Sequence, residues 1–454
     1  MMRCTNLVGS TLARIRVVCV LLTGCVGWGL APCTWGSPEV PGAPSSDPIV
    51  LVGGTVYPVS GPPIADARLV IERGKILAVG RDVKVPAGAQ QVDVHGKRVY
   101  PALFDAYTDM GLVEINSIRA TVDRRETGSL NPNVKSWVAV NPDSEIIPVT
   151  RSNGVLLTLT APSGGLIAGK SAVIQLDGWT FEDLALRTDI GMHVNWPSMS
   201  SARRDEGDSS SAPSPRNSPL KPLRDAFDTA RAYQRARVAR PQVHPVDARW
   251  DALLPVLDRQ MPLIVDAEEW QQIEAAVAFA VEQNVRLIIH GGYDAEMCAE
   301  LLKKHKVPVI VAGTYRMPHR DSDAYDAPFT LPERLRRAGV QYALSSTGRF
   351  GATGVRNLPY HAAMAVAFGL SPEDALRAIT LSPAEVLGVA DRVGSLDVGK
   401  DATLFIATGD PLDTETQVEA AYVQGRPVEL NDRHKRLWKK YEEKYRRLSA
   451  DTAP

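Results

Sequence analysis

The stretch Val99-Tyr100-Pro101-Ala102-Leu103-Phe104-Asp105-Ala106-Tyr107-Thr108-Asp109-Met110-Gly111 decides the fold of this chain. It begins as an apolar run, continues with alternating polar residues and ends in a glycine, which is the pattern of a buried strand that opens onto a cavity. Tyr107 and Asp109 stand two residues apart, so on a strand both side chains point to the same face. Barrel enzymes use such a pair at a strand end to hold a metal or a substrate.

Length and composition indicate an ordinary globular protein. The chain has 454 residues, a net charge of −1, 23% charged residues and 44% apolar residues. This length allows a barrel and a smaller second domain. The balanced charge gives no indication of a nucleic-acid or membrane-surface partner. We therefore expect a small-molecule substrate or ligand as the partner, and a homo-oligomer remains open.

The first 36 residues are predicted to be a signal peptide rather than part of the fold. Arg14 and Arg16 precede the apolar run 17–22, which is too short to span a bilayer. The sequence Leu-Thr-Gly-Cys at 22–25 resembles a bacterial lipobox, which would leave Cys25 as a lipid-anchored N-terminus. A misassigned start with a disordered leader is the alternative. With residues 37–47 as a linker, the prediction is an exported protein of the periplasm or cell envelope.

Strand and helix patterns recur along the rest of the chain. Short strands with tight turns are predicted at both ends, in 49–94 and 393–423, and apolar strands alternate with helices between them. This alternation predicts an α/β protein with a parallel sheet closed into a (β/α)8 barrel. Residues 201–222, rich in Ser, Pro and Arg, are predicted to be a disordered insertion. Residues 432–454 are predicted to form an exposed C-terminal helix.

The opening stretch resembles the amidohydrolase superfamily, whose members are metal-dependent hydrolases on a TIM barrel. Their first strand ends in Asp-Ala-His-x-His-x-Gly, and here Tyr107 and Asp109 occupy the two histidine positions. The segment VGSLDVGKDATLFI at 393–406 resembles a second landmark of the superfamily. The resemblance covers roughly residues 48–430 and is closest to imidazolonepropionase-like exported amidohydrolases. It implies a barrel over 101–392 and a small β-sandwich built from 48–100 and 393–431.

The resemblance also implies a site with altered ligands. Asp266 and the retained His290 occupy two later histidine positions, and Thr347 replaces the aspartate that deprotonates water. Asp109, Asp266 and His290 would hold a divalent ion (Mn, Fe, Zn or Mg), or the site would hold none. Thr347 cannot accept a proton at neutral pH. Tyr107 would orient the substrate or stabilise its oxyanion, and the predicted substrate contacts are His193, Arg316 and His319.

Three functions follow from these residues. The first is a hydrolase acting on a carbon–nitrogen bond other than a peptide bond, in a small or cyclic amide. The second is a catalytically inactive barrel that binds a ligand or serves as a surface structural protein. The third is a carbohydrate-active barrel that uses Asp109 and Asp266, which would need carboxylates about 5–9 Å apart.

Overall fold

The computed structural model describes residues 40–199, 219–346 and 351–451. The predicted signal peptide with Cys25, most of the predicted insertion, and Thr347 lie outside the described residues. The described residues from Val40 onward form one compact unit. No helix in the described ranges is long and apolar enough to cross a membrane.

A parallel barrel wall forms the centre of the molecule. Strand β6 (Leu103–Thr108) pairs in parallel with β7 (Val155–Thr160). A second run of parallel strands contains β11 (Met192–Asn195), β12 (Leu263–Ala267), β13 (Leu287–Gly291), β14 (Val309–Ala312) and β15 (Tyr342–Ser345). Strand β15 packs against β6 and brings the two runs together. Strands β7, β13, β14 and β15 are buried along their whole length, as expected for parallel strands covered on both faces.

The wall departs from a regular eightfold repeat on one side. Strand β9 (Ala172–Gln175) runs antiparallel to β7 and pairs with β10 (Ala185–Arg187). Strand β8 (Ile167–Lys170) runs antiparallel to β11. The TIM-barrel type of fold is therefore present, but the described strands between β7 and β11 are antiparallel to their neighbours.

Helices surround the wall and follow most of the parallel strands. They are α1 (Ile146–Arg151), α2 (Phe181–Leu184), α3 (Lys221–Ala239), α4 (Ala248–Leu257), α5 (Trp270–Gln283), α6 (Ala299–His305), α7 (Ala327–Ala338), α8 (Leu358–Ala367), α9 (Pro372–Ala378), α10 (Leu381–Val386) and α11 (Arg433–Asp451). Helix α3 begins at Lys221, so the last two residues of the predicted insertion are helical. The cause is local, since proline at the second helical position suits a helix start.

The two ends of the described chain share one sheet. Its strands are β1 (Ile49–Val56), β2 (Ile64–Glu72), β3 (Lys75–Gly80), β4 (Gln90–Asp93), β5 (Arg98–Pro101), β16 (Leu404–Ala407), β17 (Val418–Val423) and β18 (Arg426–Val428). Strand β16 pairs with β5 and so joins the two ends. A separate core packs Leu51 and Leu69 from one end with Leu404 and Tyr422 from the other. The arrangement of this sheet as a β-sandwich stays a prediction.

Candidate functional site

Strand register places polar side chains at one level of the barrel mouth. Asn195 on β11 pairs with Asp266 on β12, and Asp266 pairs with His290 on β13. Because the carboxyl ends of parallel strands meet at one edge, the last polar residue of each strand reaches the same opening. His193 lies two residues before Asn195 and therefore faces the same side at a deeper level.

Tyr107 projects from the end of β6 into the middle of this group. Its ring stacks on the imidazole of His290, with centroids 3.6 Å apart and planes within 8°. The His193 ring meets the Tyr107 ring edge-on at 5.4 Å. Burial, with smaller contributions from the negative charges of Asp266 and Asp109, raises the pKa of the Tyr107 hydroxyl above its ordinary value. The phenol therefore keeps its proton throughout the physiological range.

Asp266 and His290 form a hydrogen-bonded dyad. Asp266 Oδ1 lies 3.0 Å from His290 Nδ1. Burial acts to raise the pKa of the Asp266 carboxyl, but the hydrogen bond to His290 and the electrostatic interaction with that residue outweigh it, and the pKa falls below its usual range. Asp266 is therefore ionised at neutral pH and favours the tautomer with the proton on Nδ1. His290 Nε2 is buried without a hydrogen-bond partner among the described residues, so its lone pair stays available.

Asp109 is paired with a cation from the loop that follows β6. Arg124 Nη1 donates to Asp109 Oδ2 at 2.9 Å. Asp109 Oδ1 is buried and has no hydrogen-bond partner in the described ranges. Gly351, at φ +53°, lies close to the same carboxylate, since a Cβ built on it would stand 3.2 Å from Oδ1. The carboxylate is thus fixed between a guanidinium and a glycine backbone.

His193 is a buried histidine with a neutral imidazole. Its side chain is almost fully buried, and neither ring nitrogen has a hydrogen-bond partner among the described residues. Burial, reinforced by the nearby His290, lowers the pKa of His193 to about 3. The ring therefore stays neutral at physiological pH and leaves two polar atoms facing the barrel centre.

Below the site, Asp105 fastens β6 to the end of β15. It accepts hydrogen bonds from the backbone N–H of Tyr107 at 3.2 Å and of Ser346 at 3.1 Å, and from the Ser346 hydroxyl. Burial raises the pKa of the Asp105 carboxyl to about 7 despite these hydrogen bonds. Asp105 therefore holds the strand end that carries Tyr107 and Asp109.

Most of these side chains line one cavity of about 280 Å³ at the barrel mouth, although His193 and Asp105 are not in its lining. Four of the lining residues were singled out from the sequence: Tyr107, Asp109, Asp266 and His290. The others are Thr108, Arg124, Ala161, Ser163, Asn195, Ser346, Gly351 and Val355. The cavity is large enough for a small amide. The only sequence signal for Arg124 was a run of charged residues after the first barrel strand.

The predicted metal ligands do not form an ion-binding group. Over residues 40–199, 219–346 and 351–451, no three His, Cys, Asp or Glu side chains are arranged to hold a metal. The donors explain this result, because Asp266 bonds His290 and Asp109 bonds Arg124. A guanidinium supplies the positive charge that an ion would bring to Asp109. The divalent ion at Asp109, Asp266 and His290 therefore stays a prediction. Arg124 and the Asp266–His290 hydrogen bond engage some of the donor atoms, while Asp109 Oδ1 and His290 Nε2 have no hydrogen-bond partner among the described residues.

Arg316 and His319 belong to a neighbouring cluster and are not among the residues that line the described cavity. Arg316 Nη2 donates to Glu268 Oε1 at 2.8 Å, and its guanidinium lies 5.4 Å from the Tyr293 ring centre. His319 stacks on the same tyrosine at 3.9 Å. This cluster acts on the site at a distance, since the charge of Arg316 helps to lower the pKa of Asp266.

Similarity to known proteins supports the same fold and family. A model of the amidohydrolase family matches residues 264–430. The imidazolonepropionase of Brucella suis is 24% identical, over 83% of this chain and 93% of that protein. The amidohydrolase tasK of Hapsidospora irregularis is 22% identical over 89% of this chain, which spans only 44% of that longer protein.

A solved structure extends this similarity to three dimensions. An amidohydrolase from Thermotoga maritima superimposes with a TM-score of 0.74 at 26% identity, and the match covers 84% of this chain and 99% of that structure. Members of the superfamily generally use divalent metals, so the paired donors described above are a departure within it. The family match, the imidazolonepropionase relatives and the shared barrel together support the membership of this chain in the amidohydrolase superfamily.

Proposed function

We propose that this protein hydrolyses a carbon–nitrogen bond, other than a peptide bond, in a small or cyclic amide, with the Asp266–His290 dyad as the proton acceptor. One observation carries the proposal. His290 Nδ1 is held by Asp266 at 3.0 Å while Nε2 has no hydrogen-bond partner in the described part of the chain. General-base catalysis requires a base with a free lone pair, and here a carboxylate orients such a base.

The reaction follows from these positions. His290 Nε2 removes a proton from water as its oxygen bonds to the amide carbon. The same nitrogen then returns the proton to the departing nitrogen as the carbon–nitrogen bond breaks. Tyr107 remains protonated because burial raises its pKa. We assign to its hydroxyl the role of hydrogen-bond donor to the substrate oxygen in the transition state. Arg124 lines the cavity as a cation and favours substrates with a polar or negative group near Asp109.

A ligand-binding barrel without hydrolysis is the second candidate. The stacked ring of Tyr107 covers one face of His290, and the imidazole is almost fully buried. A base enclosed in this way suits a pocket that binds a ligand without admitting the attacking water. The carbohydrate-active alternative is less favoured, because it needs one carboxylic acid that stays protonated and the pKa of Asp266 is lowered.

Hydrolysis of a panel of lactams, cyclic imides and N-acyl amino acids tests the proposal. We expect turnover that persists after dialysis against a chelator and falls roughly 10²- to 10⁴-fold in His290→Gln, the range for loss of a general base. Asp266→Asn should also lower the rate, because the orienting charge is lost. The chain offers a matched control in the exposed pair of Asp93 and His95, which are 2.5 Å apart, so His95→Gln should keep full activity.

Two outcomes would contradict the hydrolase. Turnover in His290→Gln equal to that of the parent would remove the dyad from the mechanism. Compounds that raise the melting temperature of the parent without being hydrolysed would favour the ligand-binding barrel.

We further propose a site of action in the cell envelope, supported by the charged and apolar pattern of residues 1–36. Secretion of a reporter fused to that segment tests this location.

A further inference from the structure

The C-terminal helix α11 has a composition unlike that of the chain as a whole. Residues 433–451 carry eight Lys and Arg against three Asp and Glu, a net charge of +5 in a protein whose total is −1. The helix is 19 residues long and contains a tryptophan, two tyrosines and two leucines. The balanced total charge therefore conceals a strongly basic helix.

The large side chains of α11 form one exposed stripe, which we call the aromatic stripe. At 100° per residue its members lie within an arc of about 100° on the helix surface. Their exposed fractions range from 41% for Leu437 to 63% for Trp438. The stripe consists of Leu437, Trp438, Tyr441, Tyr445 and Leu448. An apolar face of this extent is unusual on a helix that is otherwise so highly charged.

Cations border one side of the aromatic stripe. The ammonium groups of Lys440 and Lys444 lie 5.9 Å from the Tyr441 ring centre, and Lys444 lies 5.7 Å from that of Tyr445. Glu443 is on the opposite side of the helix, where it bonds Arg446 and Arg447 at 2.7 Å. Lysine ammonium groups beside exposed aromatic rings are suited to a boundary between apolar and anionic surroundings.

The first turn of α11 is fastened to the protein body. Asp432 Oδ1 accepts the backbone N–H of His434 at 2.7 Å, and its other oxygen accepts the Ser152 hydroxyl. Arg436 forms an ion pair with Glu145 at 3.3 Å. The helix is thus held at a set angle to the barrel, so its stripe presents one fixed surface.

We infer that the aromatic stripe of α11 docks this protein on an anionic lipid surface. Tryptophan and tyrosine favour the membrane–water interface, and a basic border attracts anionic headgroups. A second copy of the helix is a poorer occupant, because two helices of charge +5 repel each other. The stripe also spans only about two heptads, which is short for a stable helix pair. Interfacial docking needs no membrane-spanning segment.

Co-sedimentation of the full chain with lipid vesicles tests this inference. We expect binding to vesicles of phosphatidylcholine with phosphatidylglycerol, weaker binding to phosphatidylcholine alone, and release by salt. Trp438→Ser/Tyr445→Ser should lower the partition coefficient by about tenfold or more. Lys440→Glu/Lys444→Glu should abolish the preference for anionic vesicles. Trp179, equally exposed at 64%, provides the matched control Trp179→Ser, which should bind like the parent.

The stripe variant and the lysine variant differ from the parent only in α11, so a difference in their vesicle binding is due to that helix. Circular dichroism confirms that each variant keeps its helix content. Equal binding by the parent and Trp438→Ser/Tyr445→Ser would overturn the inference, as would the absence of any preference for anionic vesicles. The inference would also be overturned if the parent did not bind vesicles and was dimeric by light scattering while Trp438→Ser/Tyr445→Ser was monomeric. That result would assign the stripe to a protein interface.

Discussion

The parent protein should lose stability in mild acid because of the buried His193, and His193→Leu should not show this loss. His193 is almost fully buried, and burial lowers its pKa from 6.5 to about 3. Above pH 6.5 the imidazole is neutral in the folded and unfolded chains, so it adds no pH dependence. Between about pH 6.5 and pH 3 the unfolded chain takes up a proton that the folded chain refuses. The free energy of unfolding therefore falls as the pH falls through this window.

The size of the effect follows from the shift in pKa. Each pH unit below 6.5 lowers the free energy of unfolding by about 1.4 kcal/mol, so the loss from pH 7 to pH 5 is about 2 kcal/mol. The full shift corresponds to roughly 4 to 5 kcal/mol at the acid end of the window. Leucine is close to histidine in volume and carries no polar atoms, so His193→Leu should be at least as stable as the parent at pH 7.

Urea unfolding of the parent and His193→Leu at several pH values measures this difference. His361, whose pKa burial lowers to about 4, changes stability in the same direction, and Asp105 changes it in the opposite one. Both are present in parent and variant, so they cancel in the comparison. His305→Gln, in the last turn of α6, controls for loss of an imidazole elsewhere. Parallel stability curves for the parent and His193→Leu from pH 7 to pH 5 would refute the reasoning.

Three further substitutions test the packing around the site. Phe279→Ala should lower the free energy of unfolding by about 3–5 kcal/mol, because Phe279 packs edge-on against Phe227 at 5.2 Å. A loss below about 1 kcal/mol in denaturant unfolding would contradict that packing. Gly351→Ala should cost about 1–2 kcal/mol, because its φ is positive and its Cβ would press on Asp109; an unchanged unfolding midpoint would argue against this close approach. Asp105→Ala should lower the free energy of unfolding by at least about 2 kcal/mol, because the backbone amides of Tyr107 and Ser346 lose their acceptor. A variant that is as stable as the parent by calorimetry at pH 7 would exclude this role.

The architecture was accessible from sequence where apolar runs are bounded by turn residues. Strands β1 and β17 lie inside the segments 49–94 and 393–423, where short strands with tight turns are predicted, and β7 is an apolar strand of the predicted central region. Strand β11, which carries His193, was harder to recognise. It has only four residues and a polar one at every second position, so its periodicity does not distinguish it from a loop.

Four of the predicted site residues, Tyr107, Asp109, Asp266 and His290, line the candidate cavity, but their pairing could not be predicted from the sequence. Strand alternation is enough to bring Asp266 and His290 to the same edge of the barrel. It does not fix side-chain torsions, which decide whether the two share an ion or bond each other. Arg124 stands 15 residues beyond Asp109 in an irregular loop, so no local period connects them. A long-range ion pair of this kind depends on the folded path of the loop.

Metal content is the measurement that tests the central claim most directly. The claim is that Asp109 and Asp266, at positions where the superfamily places metal ligands, are instead paired with Arg124 and His290. The parent and Asp266→Ala/His290→Ala should be loaded with Mn, Fe, Zn or Mg, desalted and subjected to elemental analysis. The account predicts no stoichiometric metal in either protein. Near-stoichiometric metal in the parent that is lost in the variant would contradict it.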